Sequence, residues 1–223
     1  MYQRDLDVTL QQGTTKFRTG ATPYTISANA SASNADLNNF GTWWQNNEAT
    51  VQRDFTVLLS GRESSSQNPG FSASGIAWVN AYCVTQSNGG SYSVNKVFTN
   101  SGVAVEYSAR IVGHELGHNF GASHTHCTNK TTGAYPTASN TIDVCFKGEA
   151  GLGCYGGAVS CPAGGTGTLM SYCNTSAPNG ANCGQNQLLF HPTQITTVKA
   201  LVAAHTPVCL SASSDIIFQD GFD

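Results

Sequence analysis

The run His114-Glu115-Leu116-Gly117-His118-Asn119-Phe120-Gly121-Ala122-Ser123-His124 constrains this 223-residue chain more than any other stretch. On a helix, positions i and i+4 project from one face, so His114 and His118 can hold one ion between them. Glu115 stands about 100° further round the helix. That places its carboxylate beside a water on the ion rather than on the ion itself. Gly121 permits the positive φ of a left-handed cap, which stops the helix and swings the chain back. His124 can then supply a third imidazole. Three neutral imidazoles and one water make an open, tetrahedral catalytic zinc site. This donor set suits one zinc ion per chain better than calcium or magnesium. A structural calcium ion is compatible with the sequence, but no motif supports one.

The flanking pattern predicts short strands and separated helices, an α+β arrangement. Residues 6–10 alternate apolar and polar and read as a strand. Residues 35–50 carry Leu37, Phe40, Trp43 and Trp44 at helical spacing behind Asn34 as cap, and the tryptophans are expected in the core. Strands are expected at 54–60, 75–79 and 92–98, with a Ser-rich loop over 62–74. The histidine helix is expected to run from Ser108 to Asn119 or Phe120. A last helix fits Thr193 to Ala204, with Pro192 just ahead.

Composition narrows the partners. Only 10% of residues are charged, against roughly 25% in soluble proteins generally. The net charge is −3, so no basic field attracts nucleic acid. No apolar stretch approaches the ~20 residues that span a bilayer. The expected partner is a protein or peptide substrate, without nucleic acid or membrane, acted on by a monomer. Eight cysteines form an even set: Cys83, Cys127, Cys145, Cys154, Cys161, Cys173, Cys183 and Cys209. Six crowd into 127–183, a stretch rich in Gly, Ser, Thr and Asn, where disulfides would replace a missing apolar core. There is no C-x-x-C pair, which argues against a zinc ribbon. An oxidising compartment and secretion are expected. Spacing leaves the pairing open, since eight cysteines allow 105 connectivities.

One further element completes the pattern. Gly167-Thr168-Leu169-Met170-Ser171-Tyr172-Cys173 contains one of only two methionines. Beside the histidine motif it looks like a Met-turn, a tight turn packing Met170 beneath the metal. The chain therefore resembles the metzincin zinc endopeptidases, and within them the reprolysin (adamalysin) group. Residues 57–62, and Gly75-Ile76-Ala77-Trp78-Val79 followed by Cys83, resemble that group's third and fourth strands. Two departures stand out. Reprolysins usually place Asp after the third histidine, where this chain has Thr125. Tyr172 resembles the tyrosine that astacins and serralysins place near zinc.

The resemblance implies a twisted mixed β-sheet with an active-site helix, followed by an irregular, disulfide-rich subdomain ending in a helix. It implies a catalytic domain over 1–210, its upper part about 1–121 and its lower part about 122–210. A tail, 211–223, follows. Met1–Asp5 resembles the end of a first helix, so preceding parts of the domain, a propeptide and a signal peptide are expected upstream. The tail's ending resembles a short C-terminal sequence of secreted bacterial proteins. The resemblance also implies a Cys83–Cys209 bond. Within the cluster the expected pairs are Cys127–Cys173 and Cys145–Cys154, leaving Cys161–Cys183.

The implied reaction is peptide hydrolysis. Glu115 serves as general base toward a zinc-activated water, Tyr172 is a candidate oxyanion donor, and substrate adds as a strand to the edge at Gly75, Ile76, Ala77 and Trp78. Two other readings remain: an inactive protease-fold binding module, and a zinc amidase acting on cell-wall peptides. Retention of Glu115 and all three histidines favours the peptidase. His126 is expected as a solvent-facing loop residue.

Overall fold

The computed structural model describes residues 1–27, 31–61, 74–84, 86, 88–97 and 104–205. Its elements are α1 (Tyr2–Leu6), α2 (Asn34–Asn47), β1 (Thr56–Ser60), β2 (Gly75–Ala77), β3 (Tyr92–Lys96), α3 (Val105–Asn119) and α4 (Pro192–His205). Turns of 3-10 helix occur at Thr125–Cys127 and Ala150–Leu152. The expected loop at 62–74, except for Ser74, and the tail lie outside the described residues, as does Cys209.

The strands form one mixed sheet in the order β1-β3-β2, with β1 parallel and β2 antiparallel to β3. Central β3 is buried along its whole length. Tyr92 and Val94 pack with Ile26, Leu37, Phe40 and Trp44, which seats α2 on one face of the sheet. Side chains alternate along a strand, so Ser93 and Asn95 turn to the opposite face. Helix α3 packs against β2 and β3, and Asn119 Nδ2 donates to the carbonyls of Trp78 (2.9 Å) and Tyr92 (3.3 Å). A second core joins Tyr2, Leu6, Leu116, Phe120, Leu169, Met170, Phe190 and Val198. It binds α1, α3, the Met170 turn and α4 into one body.

Several boundaries differ from expectation for local reasons. Residues 6–10 form no strand. The chain is helical through Leu6 and leaves the helix at Asp7, φ 57°. The apparent alternation joined a buried helix end, Leu6, to an exposed coil residue, Leu10. Asn34 is the first residue of α2 and not its cap. Ser33 caps it, its side chain accepting from Asp36 N while the Asp36 carboxylate accepts from Ser33 N, a reciprocal capping box. Strand β2 stops at Ala77, and the chain turns at 79–80, where Asn80 takes φ 52°. Asn80 N and Ala81 N donate to the carbonyls of His118 and Asn119, pinning this turn to the end of α3. Helix α3 begins three residues before Ser108, and Pro192 is the first residue of α4, where its missing N–H is harmless.

The region between α3 and α4 is irregular, and disulfides hold it. Two expected pairs are corrected: Cys127 bonds Cys154, and Cys145 bonds Cys173. Cys161 bonds Cys183. The turn at Ala150–Leu152 and the bond from Tyr155 N to His126 O (2.9 Å) bring Cys154 to Cys127. Ser171 Oγ, donating to Asp143 Oδ2 at 2.8 Å, draws the segment of Cys173 to that of Cys145. Such tertiary contacts leave no trace in cysteine spacing. Loops of this length contribute roughly 3–4 kcal/mol per bond in chain-entropy terms. Cys83 is also disulfide-bonded. Among the described residues no helix is long and apolar enough to cross a membrane.

Candidate metal centre

The site forms where α3 ends. Its i, i+4 spacing puts His114 and His118 on one face, with ring centroids 4.7 Å apart. Gly121 takes φ 96°, and Gly121 N and Ala122 N close the helix end onto His118 O and Gly117 O. The reversed chain brings His124 back, its ring 4.7 Å from His118 and 5.3 Å from His114. The three histidines offer nitrogen atoms all within 4.8 Å of one another.

Each ring has its outer nitrogen committed. His114 Nδ1 lies 2.8 Å from Leu169 O, and His118 Nδ1 lies 2.8 Å from Ala122 O. His124 Nδ1 lies 2.8 Å from Glu149 Oε2. A carbonyl and a carboxylate only accept, so each Nδ1 carries the proton and each Nε2 presents a lone pair inward. His118 Nε2 and His124 Nε2 then face each other at 3.1 Å. His114 Nε2 is buried without a hydrogen-bond partner. Converging lone pairs with no proton between them repel unless a cation lies among them, so the residues fit a metal ion. Burial, with His124 as a lesser cause, lowers the pKa of His114 to about 3, and also holds His118 well below its ordinary value. Both rings are therefore neutral donors.

Glu115 is buried on the side of α3 that faces β2, and burial pushes its pKa up to about 8. Gly75 meets it so closely that a Cβ at Gly75 would lie 2.3 Å from Glu115 Cγ. Of the remaining edge residues, Ile76 and Trp78 pack into the α2 core, so β2 turns only main chain and small residues toward Glu115. Met170 is fully buried, and its Sδ would lie 2.7 Å from a Cβ at Gly117. The Tyr172 ring stacks on His114 with centroids 5.8 Å apart and planes at 16°, and it lies 4.3 Å from the ring of His124. Burial raises the pKa of its hydroxyl.

Residues 1–125 match the reprolysin-like metallopeptidases of family M12B. The chain belongs to that family. Its matched part contains the three histidines and Glu115 and ends at Thr125, before the Met170 turn. The comparison with curated proteins gives no match. Reprolysin-like membership implies a metallopeptidase, and the histidine cluster is a group able to hold a metal ion.

Three residues in this centre escape a sequence reading. His126 is not solvent-facing. It is fully buried, and its Nε2 donates to Glu149 Oε2 at 2.8 Å. Glu149 thus receives both His124 and His126. Burial acts to raise its pKa, but the two imidazole hydrogen bonds outweigh this and hold the carboxyl well below its ordinary range. Asp143 is the third. Thr125 N donates to Met170 O at 3.2 Å, and Thr125 Oγ1 donates to Ser171 Oγ at 2.9 Å. Ser171 Oγ in turn donates a hydrogen bond to Asp143 Oδ2. Thr125, which stands where reprolysins usually have Asp, is thus linked to the Asp143 carboxylate through two hydroxyls. Glu149 lies in irregular chain 25 positions from His124, where no periodic signal in the sequence points to it.

Proposed function

We propose that the chain is a secreted zinc endopeptidase, with His114, His118 and His124 as ligands and Glu115 as general base. The convergence of three Nε2 lone pairs, with every Nδ1 already hydrogen-bonded, carries this reading. Neutral imidazoles favour zinc among the available divalent ions. When bound, zinc would polarise the scissile carbonyl and lower the pKa of a water toward ~7.

The chain's own residues do the rest. A carboxylate oxygen of Glu115 takes the proton of the attacking water and later returns it to the leaving amine. Its burial between α3 and Gly75 excludes bulk water from that proton. Tyr172, whose ring lies beside those of His114 and His124, is the candidate hydroxyl donor to the developing oxyanion. Strand β2 pairs with β3 on one side only among the described residues. Its other side offers main-chain groups to which a peptide substrate adds as a further strand.

Elemental analysis coupled to peptidase assays on casein and on purified cell walls, with and without a chelator, tests the reading. Near-stoichiometric zinc and chelator-sensitive casein cleavage are expected. Activity confined to cell walls would point to the amidase, and zinc without any activity to a binding module.

A further inference from the structure

Two of the three histidines are oriented by main chain. His114 and His118 donate to carbonyls of Leu169 and Ala122, which no side-chain change removes. His124 differs. It lies beyond the helix, at the N-cap of the 3-10 turn Thr125–Cys127. Helical geometry therefore does not aim its ring. The acceptor for its Nδ1 is a side chain, Glu149, 25 positions along the sequence.

Glu149 is itself held from several directions. The same oxygen, Oε2, receives His126 Nε2 at 2.8 Å. The rings of His124 and His126 lie nearly parallel, at 15°, so one carboxylate oxygen is clasped between two imidazoles. His126 is fully buried and its Nδ1 has no partner. Leaving a buried nitrogen unsatisfied is costly, a cost set against the hydrogen bond that His126 Nε2 makes to Glu149. The segment bearing Glu149 is fastened to the histidine turn by Cys127–Cys154 and by the hydrogen bond from Tyr155 N to His126 O.

We propose that Glu149 is the positioning carboxylate of this metal centre. It fixes the tautomer and ring angle by which His124 offers Nε2 to the ion, and His126 holds Glu149 in place. The inference rests on the zinc-site reading above. It goes further in assigning the third ligand's orientation to a side chain of the disulfide-bonded coil, so the cluster's disulfides serve the site as well as the fold.

The test is zinc affinity, by competition with a chromophoric chelator, for wild type, Glu149→Gln and His126→Gln. Visible spectra of the cobalt-substituted proteins and unfolding of the zinc-free forms accompany it. Both imidazoles share the single oxygen Oε2, and glutamine can put only a neutral amide oxygen there, a weaker acceptor for both than a carboxylate. Glu149→Gln should weaken zinc binding by ~10- to 100-fold and alter the cobalt spectrum, and His126→Gln should do so to a smaller extent. A merely structural Glu149 would shift the zinc-free unfolding midpoint without moving the dissociation constant, and that result overturns the proposal. If Glu149→Gln does not fold, nitrogen NMR of zinc-loaded wild type decides. A proton on His124 Nδ1 is required, and its absence overturns the proposal. Wild type that takes up no zinc would overturn the zinc-site reading and this proposal together. Zinc-binding wild type with an unaffected Glu149→Gln overturns this proposal alone.

Discussion

Gly75 and Glu115 are in steric register: a Cβ built on Gly75 would lie 2.3 Å from Glu115 Cγ and 2.6 Å from its Oε1. Strand β2 can approach α3 this closely only because its first residue has no side chain. Gly75→Ala should therefore push the carboxylate aside and leave the histidines untouched. A displacement of about 1 Å at a catalytic group can cost 10²-fold, so kcat should fall ~10- to 100-fold at unchanged zinc content. Wild-type kcat in the variant would show that Glu115 has room to move, contrary to its packing.

Glu115→Gln preserves the shape of the side chain and removes its proton affinity. Loss of a general base costs roughly 10²- to 10⁴-fold. Peptidase turnover should fall by that amount with zinc retained at one ion per chain. Near wild-type turnover would remove Glu115 from the base role.

Tyr172→Phe keeps the ring that stacks on His114 and deletes only the hydroxyl. If that hydroxyl donates to the oxyanion, kcat falls by ~10²-fold or more while zinc content holds. An unchanged kcat would leave the ring as a wall of the site.

The glycine inside the histidine motif has a packing reason. A Cβ on Gly117 would lie 2.7 Å from Met170 Sδ and 3.1 Å from Phe190 Cε1. Overpacking of this kind costs about 1–3 kcal/mol, partly offset by alanine's better helix propensity, about 1 kcal/mol. Gly117→Ala should lower stability in urea titration. Its cost should largely vanish in a Met170→Ala background, because the clash partner is gone. Strict additivity of the two substitutions would refute the contact.

Acid stability should pass through Asp36. Burial raises its pKa, but hydrogen bonds from Ser27 and Ser33 outweigh that and leave it below 3.8. A carboxylate depressed on folding stabilises the protein above its unfolded pKa, and that contribution is lost as pH falls through the folded value. Asp36→Asn should cost about 1–2 kcal/mol at neutral pH. The gap to wild type should narrow below pH 3.8. A gap that stays constant down the acid limb would mean Asp36 is uncharged in the fold.

The helix that carries His114 and His118 was legible because its information is local. An i, i+4 spacing, a glycine that tolerates φ 96° and a methionine in a tight turn each act within a turn or two of backbone. The same holds for α2 and α4, whose apolar stripes mark them even where their caps are displaced by a residue. Strand 6–10 failed because three alternating apolar residues cannot distinguish an edge strand from a helix end running into coil. The partners of His124 and of Cys127 were not legible at all. Glu149 reaches His124, and Cys154 reaches Cys127, through an irregular segment with no periodicity to read. The burial of His126 follows from the same fold of coil over coil. Backbone periodicity places a donor on a helix face. The acceptor that aims it is set by the path of chain returning from far along the sequence, and that path is settled by packing, hydrogen bonds and disulfides acting together.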